Sequence, residues 1–254
     1  MKLKTTRYTV CSDRLPEQFA GCRIAMLSDL HDTVYGESND KLFEVINNEQ
    51  PDIVIIAGDL VTAKAGRDFS PAFNLLKKLA SKYPIYYALG NHEQRAYDEV
   101  KEYLQKVRGL SGVILLDNET VIAGCGIRIA GLSLPIRFYK KAGEIIAKAS
   151  DVCEQLGIKD EGYTILVAHN PIFFKAYSEW GADLVLSGHL HGGIVRLPFV
   201  GGVVSPQVSF FPKYDKGMFT KGKSTLIVSA GLGKHTIPIR LWNPAELVII
   251  DLKK

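Results

Sequence analysis

Apolar residues along this chain come in short unbroken runs, and the runs alternate with stretches whose apolar positions recur at helical spacing. Lys4 to Val10 alternates polar and apolar positions and predicts a strand, which Leu15-Pro16-Glu17 breaks. Arg23-Ile24-Ala25-Met26-Leu27, Ile53-Val54-Ile55-Ile56-Ala57 and Ile85-Tyr86-Tyr87-Ala88-Leu89 have the length of buried strands, the second buried on both faces. Between them, Ser38-Asn39-Asp40 offers a cap to a helix carrying Leu42, Val45 and Ile46, while Phe73, Leu75, Leu76 and Leu79 mark a second helix that Pro84 ends. Tyr97 to Val107 predicts a helix with Val100 and Leu104 inward, and Ala142 to Leu156 another, ended by Gly157. Short strands are expected at 113–116, 120–122 and 127–130, longer ones at Tyr163–Ala168, Ala182–Ser187, Ser224–Ser229 and Leu247–Leu252. Residues 198–222, rich in Gly, Pro and aromatics, predict a long loop or a pair of hairpins. The repeated unit of strand, polar tip and helix is that of a layered α/β sheet.

The tips carry the chemistry. Five of the strands run into Ser28-Asp29-Leu30-His31, Gly58-Asp59-Leu60, Gly90-Asn91-His92-Glu93, Ala168-His169-Asn170 and Ser187-Gly188-His189-Leu190-His191. Ligand sites in open α/β sheets lie beyond the carboxyl ends of strands, so these tips should meet at one edge. Of six histidines, His31, His92, His169, His189 and His191 sit in the tips and His235 lies elsewhere. In an extended chain, residues two apart point to one side, which predicts that Asp29 and His31 converge, and likewise His189 and His191. Asp29, His31, Asp59, Asn91, His169, His189 and His191 together suit two divalent ions. Asp59 is the natural bridge, having two oxygens and Gly58 beside it. Two ions about 3.5 to 4 Å apart can clamp a phosphate and activate the water between them, and their charge exceeds that of two carboxylates.

Composition narrows this little. Apolar residues make 46% and charged residues 23% of the 254, as in an ordinary soluble protein, and the net charge of +4 suits an anionic substrate without arguing for nucleic acid. Cys11, Cys22, Cys125 and Cys153 show no metal or disulfide spacing, which favours a reducing compartment. No stretch reaches the length of a membrane span, and no signal peptide is visible after Met1-Lys2-Leu3-Lys4. A cytoplasmic location is expected, or a peripheral or exported one if an N-terminal anchor precedes these residues.

The ordered set Asp-x-His, Gly-Asp, Gly-Asn-His-Glu, His and Gly-His-x-His, spanning Asp29 to His191, resembles the calcineurin-like metallophosphoesterase superfamily. The resemblance implies one domain over residues 1–254, folded as a four-layer α/β/β/α sandwich of two mixed sheets. It implies that Asp29, His31 and His191 bind one ion, that Asn91, His169 and His189 bind the other, and that Asp59 bridges them. A bridging hydroxide would attack phosphorus, and His92 would contact the phosphate or protonate the leaving group. The set does not choose among Mn, Fe, Co, Ni and Zn. The tail motif Gly231-Leu232-Gly233, Pro238-Ile239-Arg240 and Pro244-Ala245-Glu246 is similar to a bacterial branch of small phosphohydrolases that includes UDP-2,3-diacylglucosamine pyrophosphatases. The expected reaction is hydrolysis of a phosphodiester or pyrophosphate bond in a small phosphoester, lipid-linked or nucleotide-linked.

Two rival functions fit the same pattern. A non-enzymatic scaffold on this fold would be expected to have lost ligands, and none is missing. A nuclease for single strands would need a basic groove with stacking aromatics, hinted at only by Phe210, Phe211, Tyr214, Phe219 and the lysines of 213–223. Tyr86, Tyr87, Phe210 and Phe211 are read as core, Asn170 as a helix cap, His235 as surface, and Arg137, Lys140 and Lys141 as a solvated face.

Overall fold

The computed structural model describes residues 2–64, 66–95, 98–123, 126–140, 145–193, 196–197, 201–202, 212–234 and 240–254. Its strands are β1 (Leu3–Cys11), β2 (Arg23–Leu27), β3 (Ile53–Ala57), β4 (Ile85–Ala88), β5 (Val113–Leu116), β6 (Glu119–Ala123), β7 (Ile127–Leu132), β8 (Thr164–Ala168), β9 (Leu184–Ser187), β10 (Arg196–Leu197), β11 (Gly201–Gly202), β12 (Gly217–Lys221), β13 (Ser224–Val228) and β14 (Ala245–Lys253). The helices are α1 (Asp40–Asn48), α2 (Ser70–Ala80), α3 (Asp98–Arg108), α4 (Ala149–Leu156) and α5 (Phe174–Trp180).

Among the described residues the strands form two six-stranded sheets, ordered β1-β14-β2-β3-β4-β5 and β12-β13-β9-β8-β7-β6, with β10 and β11 paired apart. Both are mixed. In the first, β14 runs antiparallel to β2 while β2, β3 and β4 are parallel. In the second, β7, β8, β9 and β13 are parallel and the flanking strands β6 and β12 antiparallel.

The unbroken apolar runs exist because each central strand feeds two cores. Val54 and Ile56 of β3 face a cluster shared with α1, α2 and α3, including Leu42, Ile46, Leu76 and Val100. Ile53, Ile55 and Ala57 face the other way, onto Ile165 and Val167 of β8 and Leu184 and Leu186 of β9. Leu166 and Ala168 of β8 then meet Val152 of α4 and Phe174 and Tyr177 of α5. A strand buried on both faces has no place for a polar residue, so periodicity of two disappears. Helices, sheet, sheet and helices therefore stack as the expected four layers. No helix among the described residues is long and apolar enough to cross a membrane.

Three local readings differ from expectation. Asn39 occupies the position before α1 but adopts φ 67° and makes no capping bond. Its Oδ1 instead accepts from Tyr35 N at 2.9 Å, and its Nδ2 donates to Pro71 O, tying the loop to α2. The helix expected from Ala142 begins at Ala149: Lys148 is extended (φ −113°, ψ 165°), and its N–H donates to Asp151 Oδ2 at 2.7 Å, which starts the helix there. Residues 141–144 lie outside the described set. In α3, Val100, Tyr103 and Val107 are fully buried, and Leu104 packs at the margin.

Candidate metal centre

The parallel strands β2, β3 and β4 end side by side, with Leu27 paired to Ile56 and Ala57 to Ala88, so their tips leave the sheet at one edge. Strands β8 and β9 do the same in the second sheet, Val167 pairing with Leu186. Backbone bonds then fasten tip to tip. Asp29 N donates to Gly58 O (3.0 Å), His31 N to Asp59 O (3.2 Å), and Gly188 N to His169 O (3.1 Å). The two sheets are joined by His169, whose Nδ1 lies 2.6 Å from the carbonyl oxygen of Ala57.

Asp29 and His31 do converge, but not by strand alternation. Asp29, His31, Asp59, His189 and His191 have φ of 51°, 47°, 54°, 69° and 50°. A left-handed conformation is uncommon for residues with a β-carbon, and its concentration here marks a site that the surrounding structure holds under strain. Each strand has already ended, so the chain turns its side chains inward one by one rather than presenting every second residue.

The result is a tight cluster. Ligand atoms of Asp29, His31 and His191 lie within 4.8 Å of one another, as do those of Asp59, His169 and His189 and those of His31, Asp59 and His92. His191 Nε2 is 3.3 Å from Asp29 Oδ1 and 3.1 Å from His31 Nε2; His169 Nε2 is 3.0 Å from Asp59 Oδ2. Asn91 joins through its backbone neighbours: a β-carbon on Gly90 would overlap the Asp59 carboxylate, and His92 N donates to Asp59 Oδ1 at 2.8 Å. Gly58 is needed for the same reason, since a β-carbon there would sit 2.6 Å from Gly90 Cα and 2.7 Å from His169 Nδ1.

Charge follows geometry. Burial raises the Asp29 carboxyl to about 6, although His169 pulls the other way. Burial also opposes ionisation of Asp59, yet the imidazoles of His169, His92 and His31 hold it well below the usual carboxylate range. His169 is pushed up to about 10 by Asp59 and Asp29 against its own burial. The carboxylates thus draw positive charge into the pocket, the same pull that a divalent cation would answer.

The donor set fits such ions. Asn91 Oδ1 is buried with no hydrogen-bond partner, a costly state for an amide oxygen unless something else coordinates it. His169 gives its Nδ1 proton to Ala57 O, which leaves the Nε2 lone pair for a metal, as metal-ligating histidines are usually fixed. His92 differs. Its Nδ1 accepts from Ala63 N at 3.0 Å, so in the neutral ring Nε2 carries the proton and acts as a donor rather than a ligand.

Supports to which the sequence pattern gave no role at the site surround these groups. Glu93, 3% exposed, accepts from the backbone N–H groups of Asp59 (2.8 Å), Leu60 (2.7 Å) and Gly90 (2.9 Å) and from the Tyr87 hydroxyl (2.7 Å). Burial raises its pKa, but a shell made only of donors suits the carboxylate. The tail motif braces Asp29 from behind, with Leu232 N donating to Ser28 O (2.9 Å) and Gly233 N to Asp29 O (2.6 Å). Arg240 donates to the carbonyls of Ala230, Gly231 and Gly233, and Asn243 Nδ2 to those of His191 and Gly193. The Tyr139 ring packs edge-on to His189 at 5.2 Å between centroids. Apart from Tyr139, these lie within a few residues of a tip or in the tail motif, which was the available signal. Asn170 caps the turn before α5 as expected, its Oδ1 accepting from Ile172 N. Tyr86 and Tyr87 are core, and Arg137 and Lys140 are exposed. Phe210, Phe211, His235 and Lys141 lie outside the described residues.

A two-sheet α/β sandwich with this histidine-carboxylate pocket defines a metal-binding hydrolase. Residues 22–193 match the calcineurin-like phosphoesterase family, and the chain belongs to it. It is similar to YkuE of Bacillus subtilis, an uncharacterized metallophosphoesterase, at 26% identity over 99% of this chain and 86% of the relative. It is 32% identical to the uncharacterized metallophosphoesterase Cj0846 of Campylobacter jejuni, over 99% of this chain and 64% of that protein. A transmembrane protein with a metallophosphoesterase domain from Danio rerio is 29% identical over 95% of this chain. The chain spans 55% of that relative's length, so it matches about half of some relatives and most of others. Among solved structures, a 5'-nucleotidase precursor from Thermus thermophilus superposes with a TM-score of 0.53 at 13% identity, covering 84% of this chain and 49% of that one. TT1561 of the same organism gives 0.51 at 15% identity, covering 84% and 90%. At such identities the likeness is one of fold.

Proposed function

We propose that this chain hydrolyses a phosphodiester or pyrophosphate bond in a small phosphoester, using two divalent ions held by the clustered tips. Asp29, His31 and His191 would hold one ion, Asn91, His169 and His189 the other, with Asp59 shared. When bound, the ions would supply Lewis acidity to the phosphoryl oxygens and lower the pKa of a water between them. The observation that carries the reading is the gathering of imidazoles and carboxylates into three overlapping groups, each with its ligand atoms within 4.8 Å, beside a buried and unpartnered Asn91 Oδ1.

The protein's own groups would do the rest. Glu93 fixes the amides of Asp59, Leu60 and Gly90, so the Asp59 and Asn91 side chains are aimed before substrate arrives. His92, held by Ala63 N, directs its Nε2 proton toward the oxygen that leaves phosphorus. We read residues 1–254 as one catalytic domain, since both sheets contribute to the pocket. Among the described residues Cys11, Cys22 and Cys153 form no disulfide, which supports a reducing, cytoplasmic setting.

Asp59→Asn tests the mechanism. Loss of the shared carboxylate should lower turnover of bis-p-nitrophenyl phosphate by more than about 100-fold while circular dichroism stays that of the parent. Undiminished turnover would rule out this reading.

A further inference from the structure

The metal pocket opens on one side into a cavity of about 540 Å³. His31 and His92 form its inner wall, and Lys64, Arg67, Arg95 and Lys234 its rim. All four cations are exposed, and among the described residues none forms a salt bridge. One acid lines the same wall, Asp32: its carboxylate accepts from Thr62 N at 3.3 and 3.2 Å and lies within electrostatic reach of Arg67. Four positive charges with one engaged negative charge is more than a single phosphate needs, because the clustered tips already answer that phosphate. Low-dielectric walls focus such a field on whatever anion enters.

The cavity lies on the His92 side, where the departing oxygen would collect its proton. We propose that Lys64, Arg67, Arg95 and Lys234 form a second anion subsite for the leaving group, so that the preferred substrate carries another phosphate beyond the scissile one. This rests on the phosphohydrolase reading above and sharpens it from a phosphoester in general to a phosphoanhydride, or an ester whose alcohol is itself phosphorylated. Water adds its oxygen to phosphorus and gives up a proton to solvent. The bridging P–O bond breaks with its electron pair on the leaving oxygen, which takes a proton from His92 Nε2 while its remaining phosphate charge rests among the four cations. His92 regains a proton from solvent. The cavity volume is that of a small-molecule site. Among the described residues no Phe, Tyr or Trp lines it, which disfavours a nucleic acid strand stacking its bases there.

Binding separates the possibilities without relying on turnover. On the Mn-loaded protein, calorimetry should give methylenediphosphonate a dissociation constant at least tenfold below that of methylphosphonate. The double variants Arg67→Gln/Arg95→Gln and Lys64→Gln/Lys234→Gln, all exposed positions, should each shrink that ratio at least threefold with melting temperatures unchanged. Equal constants for the two ligands, or a ratio that neither double variant alters, would overturn the subsite. So would faster cleavage of a single-stranded oligonucleotide than of bis-p-nitrophenyl phosphate. Hydrolysis of bis-p-nitrophenyl phosphate alongside a flat binding ratio removes the subsite alone. Failure to hydrolyse either bis-p-nitrophenyl phosphate or a dinucleoside pyrophosphate removes the phosphohydrolase reading and the subsite with it.

Discussion

His92 shows how one hydrogen bond can separate two roles for chemically identical side chains. His169 donates through Nδ1 to Ala57 O and turns Nε2 toward Asp59 Oδ2 at 3.0 Å, where a cation can replace the proton; His92 accepts at Nδ1 from Ala63 N and keeps its proton at Nε2. The first arrangement suits a metal, the second a departing oxygen. His92→Gln should therefore retain metal while lowering kcat on an alkyl phosphodiester by about 10² to 10⁴, with a smaller loss on p-nitrophenyl esters, whose leaving group needs no proton. Parallel metal analysis and kinetics check this; loss of metal would make His92 a ligand. Glu93→Gln puts an amide N–H among donors and should cost about 1 to 3 kcal/mol in urea unfolding, a neutral variant contradicting the clamp. The identities of these residues were legible in the sequence because Asp, His and Asn clustered after apolar runs. Their left-handed φ values were not, since nothing in Asp-Leu-His marks the turn that replaces strand alternation.

At the scale of elements, the central strands were readable from their apolar runs, and the helix starts were less so. Asp151 starts α4 at Ala149, and the cap-type residue Asn39 spends its side chain on Tyr35 and Pro71. Local sequence offers a capping group; tertiary neighbours decide where it bonds. The 230–233 loop shows the same dependence. It reaches Asp29 only because Arg240, seven to ten residues on, collects the carbonyls of Ala230, Gly231 and Gly233, and Glu246 accepts from Ala230 N at 2.9 Å. Arg240→Met should cost about 1.5 to 3 kcal/mol by chemical denaturation and weaken metal retention, because the strut behind Asp29 slackens. A variant as stable and as metal-replete as the parent would show that the strut is dispensable.

Across the whole molecule, the pocket exists because two sheets pack face to face. Asp29, Asp59 and Asn91 come from one sheet and His169, His189 and His191 follow strands of the other, so neither half holds the complete set. The strand pattern pointed to one edge, and only the family resemblance said which tips would touch, since that depends on how Ile53, Ile55 and Ala57 settle against Ile165 and Val167. The cationic rim was invisible for a related reason: Lys64, Arg67, Arg95 and Lys234 come from three separate segments that only folding brings around one cavity. The direct measurement is anomalous scattering from crystals grown with Mn. Two peaks are expected in the pocket, one against Asp29, His31 and His191 and one against Asn91, His169 and His189, with Asp59 between them. A pocket with a single peak, or with none, would contradict the two-ion centre.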